Sequence, residues 1–151
     1  MPETAAPAAP FQFDVEHAPS ALIRRLSRRL RYRLDALLEP YGLTAVQWGV
    51  LAHLGHEDGL SQAQLQQRLA IEGATLTPIV QRLERDGWIR RCIDPVDRRR
   101  QQVWLTQQSR DRFVEIAQRV EGYRADSVRG MEADEVDKLS RLLARMEANL
   151  L

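Results

Sequence analysis

A single cysteine, Cys92, in 151 residues rules out an intrachain disulfide and a cysteine-rich metal site. Histidine is almost as scarce. His17, His53 and His56 lack metal-ligand spacing, and the step from His53 to His56 has no evident third ligand. No apolar run approaches the ~18 residues of a membrane span, and the N-terminus lacks a basic segment followed by an apolar one. These absences lead us to expect a cytoplasmic protein with no membrane partner. There is no nucleophile–base set, phosphate loop or catalytic carboxylate pair, so neither an enzyme nor a bound cofactor is expected. Net charge is only +1, and Lys138 is the sole lysine among 22 basic residues. Any case for a polyanionic partner therefore rests on where the arginines lie.

Their distribution is uneven. Residues 75–112 carry nine arginines against five acids, whereas residues 113–151 carry eight acids against six basic residues. The basic excess centres on Asp97-Arg98-Arg99-Arg100, in a loop flanked by the β-prone runs Gly87–Arg91 and Val103–Thr106. This pattern predicts a hairpin with arginines at its tip.

Helical patterning surrounds the hairpin. The proline- and alanine-rich residues 1–19 read as a flexible arm, with Phe11 and Phe13 as its large apolar anchors. Ser20 is an N-cap candidate for a helix to Glu39, ended by Pro40 and striped with Leu22, Leu26, Leu30, Leu34 and Leu37. Thr44 with Gln47, and Ser61 with Gln64, have capping-box spacing and predict helices over 44–55 and 61–70. Thr75 is the expected cap of a helix to Asp86, a start that would make Pro78 harmless. Thr106 then opens a long helix to about Arg129, and a last helix begins near Glu132, with acids in its first turn.

The fold class is thus mainly α with a small β-hairpin, a winged helix-turn-helix. We expect the arm at 1–19 and one domain at 20–151, in which 43–106 form the winged lobe. The long apolar faces of 20–42 and 107–151 suit a dimer interface.

On the helix from Thr75, Leu76, Ile79, Val80 and Leu83 share one face. Thr77, Pro78, Gln81, Arg82 and Arg85 lie opposite, with the side-chain chemistry of a major-groove reader. Ser61, Gln62 and Gln64 open the preceding helix and are phosphate-contact candidates. Arg98, Arg99 and Arg100 suit an A·T-rich minor groove. Asp97 is expected to orient Arg98, Arg99 or Arg82 by an ion pair.

The residues reached so far resemble the MarR family of bacterial transcriptional regulators. The resemblance covers about 20–150 and rests on Leu43-Thr44-x-x-Gln47-Trp48, Leu60-Ser61-x-x-x-Leu65, Leu83-Glu84-x-x-Gly87-Trp88-Ile89, Asp94-Pro95-x-Asp97-Arg98-Arg99 and Val103-x-Leu105-Thr106. It implies an obligate homodimer joined through the first and last two helices, with double-stranded, pseudo-palindromic DNA as partner. It also implies that the Thr75 helix enters the major groove and Arg99 the minor groove. Pro78 departs from the family pattern, since many members place an arginine there.

The chain is especially similar to the SlyA-like branch, which implies a small aromatic carboxylate effector near Arg28, Arg31 and Trp48. Arg24, Arg28 and Arg31 cluster on one edge of the first helix, a setting for a charge-assisted bond beside an aromatic. Two alternatives stand beside the DNA-binding reading. Cys92, next to Arg91, is in a setting where thiolates form and oxidise, although the family's peroxide sensors use a first-helix cysteine that is absent here. A winged-helix module could also use its hairpin to contact another protein.

Overall fold

The computed structural model describes residues 16–150. The proposed arm lies mostly outside these residues, as do Phe11 and Phe13.

Helix α1 spans Pro19–Leu38, with Pro19 in its first turn, where a missing N–H breaks no helical bond. Ser20 is not its cap. Ala18 occupies that position without a side-chain bond. A 3-10 turn at Glu39–Tyr41 absorbs Pro40 and ends at Gly42, whose φ of 67° suits glycine. Asp35 in α1 accepts the Ala45 N–H at 2.6 Å and so fixes the start of α2, Ala45–His56.

Both predicted capping boxes form. Thr44 and Gln47 cap α2, and Ser61 and Gln64 cap α3, Gln62–Leu69. Helix α4 follows at Gly73–Arg85, then strands β2 (Ile89–Ile93) and β3 (Gln101–Leu105). Helix α5, Gln107–Ser127, is capped by Thr106, and α6, Ala133–Ala148, by Glu132.

The sheet gains a strand that the pattern had not shown. Leu60–Ser61 forms β1 and pairs with β3, giving the antiparallel order β1-β3-β2. Leu60 and Arg91 both face Val103, so the central strand ties the segment before α3 to the hairpin.

The core lies where α2, α4 and α5 meet the sheet. Leu51, Leu54, Leu65, Leu76, Val80, Leu83, Val103 and Ile116 are all essentially inaccessible. Of the expected α4 stripe, Ile79 is only half-buried but still packs on this core. The outer helices differ. Helix α6 buries no residue, and Leu22, Ile23 and Leu26 of α1 remain exposed, as do Leu139, Leu142 and Leu143 of α6.

Candidate nucleic-acid interface

Helix α4 starts three residues earlier than its sequence suggests. Ala70 ends α3 in the left-handed conformation, and the Glu72 carbonyl then accepts the N–H groups of Thr75 and Leu76. Glu72 is the N-cap, with no side-chain bond, and Thr75 lies inside the first turn. Pro78 is therefore further into the helix than expected. At that depth its missing N–H does remove a helical bond, the one to the Ala74 carbonyl. The burial of Leu76, Val80 and Leu83 holds the helix in place regardless.

Thr75, Thr77, Pro78, Gln81, Arg82 and Arg85 are all exposed, as a reading face requires. The Thr77 hydroxyl donates to the Gly73 carbonyl at 2.9 Å. Arg82 and Arg85 share one carboxylate, Asp86, at 3.6 and 3.4 Å. Exposed pairs of this kind contribute at most about 1 kcal/mol, so phosphates or base edges can displace them at little cost.

At the α3 start, the Ser61 N–H and hydroxyl both donate to Gln64 Oε1, at 2.9 and 3.0 Å. The capping box thus occupies the Ser61 hydroxyl and the Gln64 oxygen, leaving Gln64 Nε2 and the Gln62 side chain as available donors. Ser61, Gln62 and Gln64 line one open cleft of about 770 Å³ with Arg99 and Arg100 of the hairpin. The fold thereby brings together two groups of candidates that lie far apart in sequence.

The hairpin tip is built around Asp94, a residue whose role the sequence reading missed. Its Oδ1 accepts the N–H of Val96 at 2.8 Å and of Asp97 at 3.1 Å, while Oδ2 accepts Gln102 Nε2 at 3.0 Å. The Val96 and Asp97 N–H groups, helped by Gln102 and the Arg100 charge, hold this carboxyl below the usual range. Asp-Pro-x-Asp is a turn sequence, which was the available signal.

Asp97 does form an ion pair, but with Arg100 at 3.4 Å and not with Arg98, Arg99 or Arg82. The turn places Arg100 beside it and lets its other oxygen accept the Arg99 N–H at 3.0 Å. Among the described residues, Arg98 and Arg99 have no carboxylate partner, and both are exposed. They are the unpaired cations at the tip.

Two further carboxylates set the hairpin's position. Glu84 on α4 accepts Arg91 Nε at 2.9 Å and the Arg91 N–H at 3.2 Å, with Arg91 Nη2 at 2.5 Å. The Arg91 hydrogen bond is the main reason that the Glu84 carboxyl lies below its ordinary value. Asp58 accepts the Leu105 N–H at 3.0 Å and pairs with Arg110, joining β3 to α5. No periodicity rule links Glu84 to Arg91 or Asp58 to Arg110.

The effector candidates separate in the single chain. Trp48 is buried and stacks on Phe113 at 5.2 Å, and its indole N–H is buried with no acceptor. It lines a cavity of about 260 Å³ with His56, Phe113 and Arg124. Arg28 and Arg31 are exposed on α1, and neither lines this cavity. Cys92 is half-buried on β2, with Arg90 Nη1 at 2.6 Å from its sulfur. Burial, then the charges of Arg68 and His56, lower the His53 pKa. Among the described residues, no metal-binding cluster occurs and no helix is long and apolar enough to cross a membrane.

An exposed α4 face, a basic hairpin and a cleft between that hairpin and the α3 start now stand on one scaffold. Residues 41–100 match the MarR family model. Over this stretch the chain is similar to the MarR family. Solved structures of this type resemble nearly the whole chain. BpsR from Bordetella bronchiseptica, whose DNA binding is regulated by 6-hydroxynicotinic acid, is 26% identical, with a TM-score of 0.81, over 92% of this chain and 98% of its own. The PcaV transcriptional regulator from Streptomyces coelicolor, solved with its natural ligand, is 26% identical, with a TM-score of 0.80, over 95% and 99%. A MarR transcriptional regulator from Methanosarcina mazei is 25% identical, with a TM-score of 0.77, over 86% and 94%. The matched region ends within the hairpin, and α1, α5 and α6 lie outside it.

Proposed function

We propose that the protein is a homodimeric, sequence-specific regulator of transcription that binds pseudo-palindromic double-stranded DNA and is released by a small aromatic carboxylate. The observation that carries this reading is the shared cleft of the α3 start and the hairpin, lined by unpaired Arg99, with unpaired Arg98 next to it in the chain. In this arrangement α4 lies in the major groove, with Thr75, Thr77, Pro78, Gln81, Arg82 and Arg85 toward the bases. Gln62 and Gln64 meet phosphate, and Arg99 enters the adjacent minor groove.

Residues 20–42 and 107–151 form the dimerisation region around the 43–106 lobe. The leucines left exposed on α1 and α6 support this division, since one copy leaves them uncovered. Two α4 helices must then fit half-sites about one helical turn, ~34–36 Å, apart. An effector that favours another separation shifts the population away from the DNA-bound state.

The unsatisfied indole N–H of Trp48 supports an effector cavity between α2 and α5. A role for Arg28 and Arg31, and with it the SlyA-like assignment, requires a second copy to bring α1 to that cavity.

The test is fluorescence anisotropy on a duplex from the gene's own upstream region and on a scrambled duplex, followed by addition of aromatic acids. Specific binding reversed by such an acid is expected. Equal, weak affinity for both duplexes and for selected genomic fragments would favour the hairpin as a protein-contact surface.

A further inference from the structure

The exposed side of α4 is divided chemically along its length. Ala74, Thr77, Pro78, Gln81 and Arg85 follow one another in three- and four-residue steps, which sets them on one exposed ridge opposite the buried Leu76, Val80 and Leu83. The half of that ridge nearest the helix start carries no charge. Ala74 presents a methyl group there and Pro78 a hydrocarbon ring.

Thr77 belongs with them. Its hydroxyl donates to the Gly73 carbonyl at 2.9 Å, so its one O–H donor is spent on the helix itself. The methyl group is what this exposed side chain offers a partner.

The second half of the ridge differs. Gln81 is exposed and, among the described residues, has no side-chain hydrogen bond. Arg82 and Arg85, guanine readers by side-chain type, both pair with Asp86, which closes the helix. Those pairs hold the two cations at the far end of α4. In a helix-turn-helix it is the first residues of the reading helix that reach the base edges, and here those residues are apolar.

We infer that the half-site is read through thymine methyl groups, by Thr77 and Pro78 with Ala74 beside them, and that Gln81 selects an adjacent adenine. In the major groove the thymine methyl is the one apolar group a base pair displays, and alanine and threonine methyls pack against it. Gln81 can bond the adenine N6 and N7 edge with both ends of its amide. The same apolar surface set against guanine or cytosine would cover their polar edges without supplying partners, which costs affinity. This inference rests on the reading of α4 as the major-groove helix, and it names what that helix selects: T·A pairs beneath its first two turns.

The test starts from genomic fragments selected by the full-length protein, with fluorescence anisotropy on the bound duplex. Each thymine of a half-site is replaced in turn by uracil, which keeps the base pair and removes only the 5-methyl group. Affinity should fall about fourfold for each methyl that is read, the value of one methyl-sized group withdrawn from water. Uracil outside the half-sites should change nothing. Thr77→Ser keeps the hydroxyl and removes the protein's own methyl. It should weaken binding by a similar factor and make it indifferent to uracil at one of those positions, a coupling that a merely structural defect in α4 does not produce. Pro78→Ala, which trims the ring, should blunt the response at a neighbouring thymine. At a sensitive position, 5-methylcytosine should bind more tightly than cytosine. Full affinity for a duplex with uracil throughout both half-sites would overturn the inference and leave sequence-specific binding intact, as would undiminished uracil sensitivity in both variants. Failure to select any fragment over a scrambled duplex would overturn the DNA-reading assignment itself, and this inference with it.

Discussion

Replacing Glu84 with glutamine removes one negative charge from the strut between α4 and the hairpin and keeps its size. In the folded protein this carboxylate takes two hydrogen bonds from the Arg91 guanidinium and one from its backbone N–H. A hydrogen bond to a charged group contributes about 1.5–3 kcal/mol when well shielded. Here the side chains keep 30% and 35% of their exposure, so screening reduces the net effect to about 1 kcal/mol. For a domain of this length that corresponds to a fall in Tm of about 2–4 °C.

The pH dependence has a definite sign. The folded Glu84 carboxyl lies below its ordinary value, so the unfolded chain binds the proton more readily. Its contribution is full above the unfolded pKa and is lost as pH falls through the lower folded value. Arg91 is shifted upward by the same hydrogen bond and stays charged throughout the acid range. Urea unfolding followed by circular dichroism, at one fixed protein concentration, should show the Glu84→Gln deficit at pH 7 and its closure on acidification. Equal stability at pH 7, or a gap that persists unchanged in acid, would refute this role for the strut.

Other outcomes follow from the same geometry. Arg99→Ala should weaken DNA binding and lower the slope of log affinity against log salt by about one unit, measured by anisotropy across a salt series. Leu76→Ala should cost about 2–5 kcal/mol in urea unfolding, because its inaccessible side chain leaves a cavity behind α4. Gly55→Ala would place a methyl group 2.2 Å from the Phe113 ring, and should destabilise by about 1–3 kcal/mol in the same assay. A joint Leu139→Glu and Leu142→Glu change on α6 should yield monomers in sedimentation velocity while helical content persists, since neither residue is buried in the single chain. Cys92→Ser should leave the response of DNA binding to peroxide unchanged. A response lost in that variant would assign the switch to the thiol.

The parts legible in the sequence are those governed by neighbours a few residues away. Thr44 with Gln47 and Ser61 with Gln64 show this, because a capping box closes within one turn. The apolar spacing of α4 likewise identified its buried side. Its start was missed because Ala70 completes the preceding turn in a left-handed conformation that is uncommon for alanine. Strand β1 was missed because two residues display no alternation, and only β3 makes them a strand. At the hairpin, the arginines were evident but the partner of Asp97 depended on the fold of the turn, which Asp94 dictates. Glu84–Arg91 and Asp58–Arg110 join segments with no common period, so only the folded chain reveals them. Arg112 carried no signal at all until Tyr41 and Trp88 were seen on either side of it.

Hydroxyl-radical footprinting of the native protein and Arg99→Ala on one selected fragment tests the central claim most directly. Two protected patches about 10–10.5 base pairs apart are predicted, each flanked by minor-groove protection that Arg99→Ala loses. A single patch without two-fold symmetry, or flanks that survive the substitution, would contradict a dimer reading DNA through α4 and the hairpin.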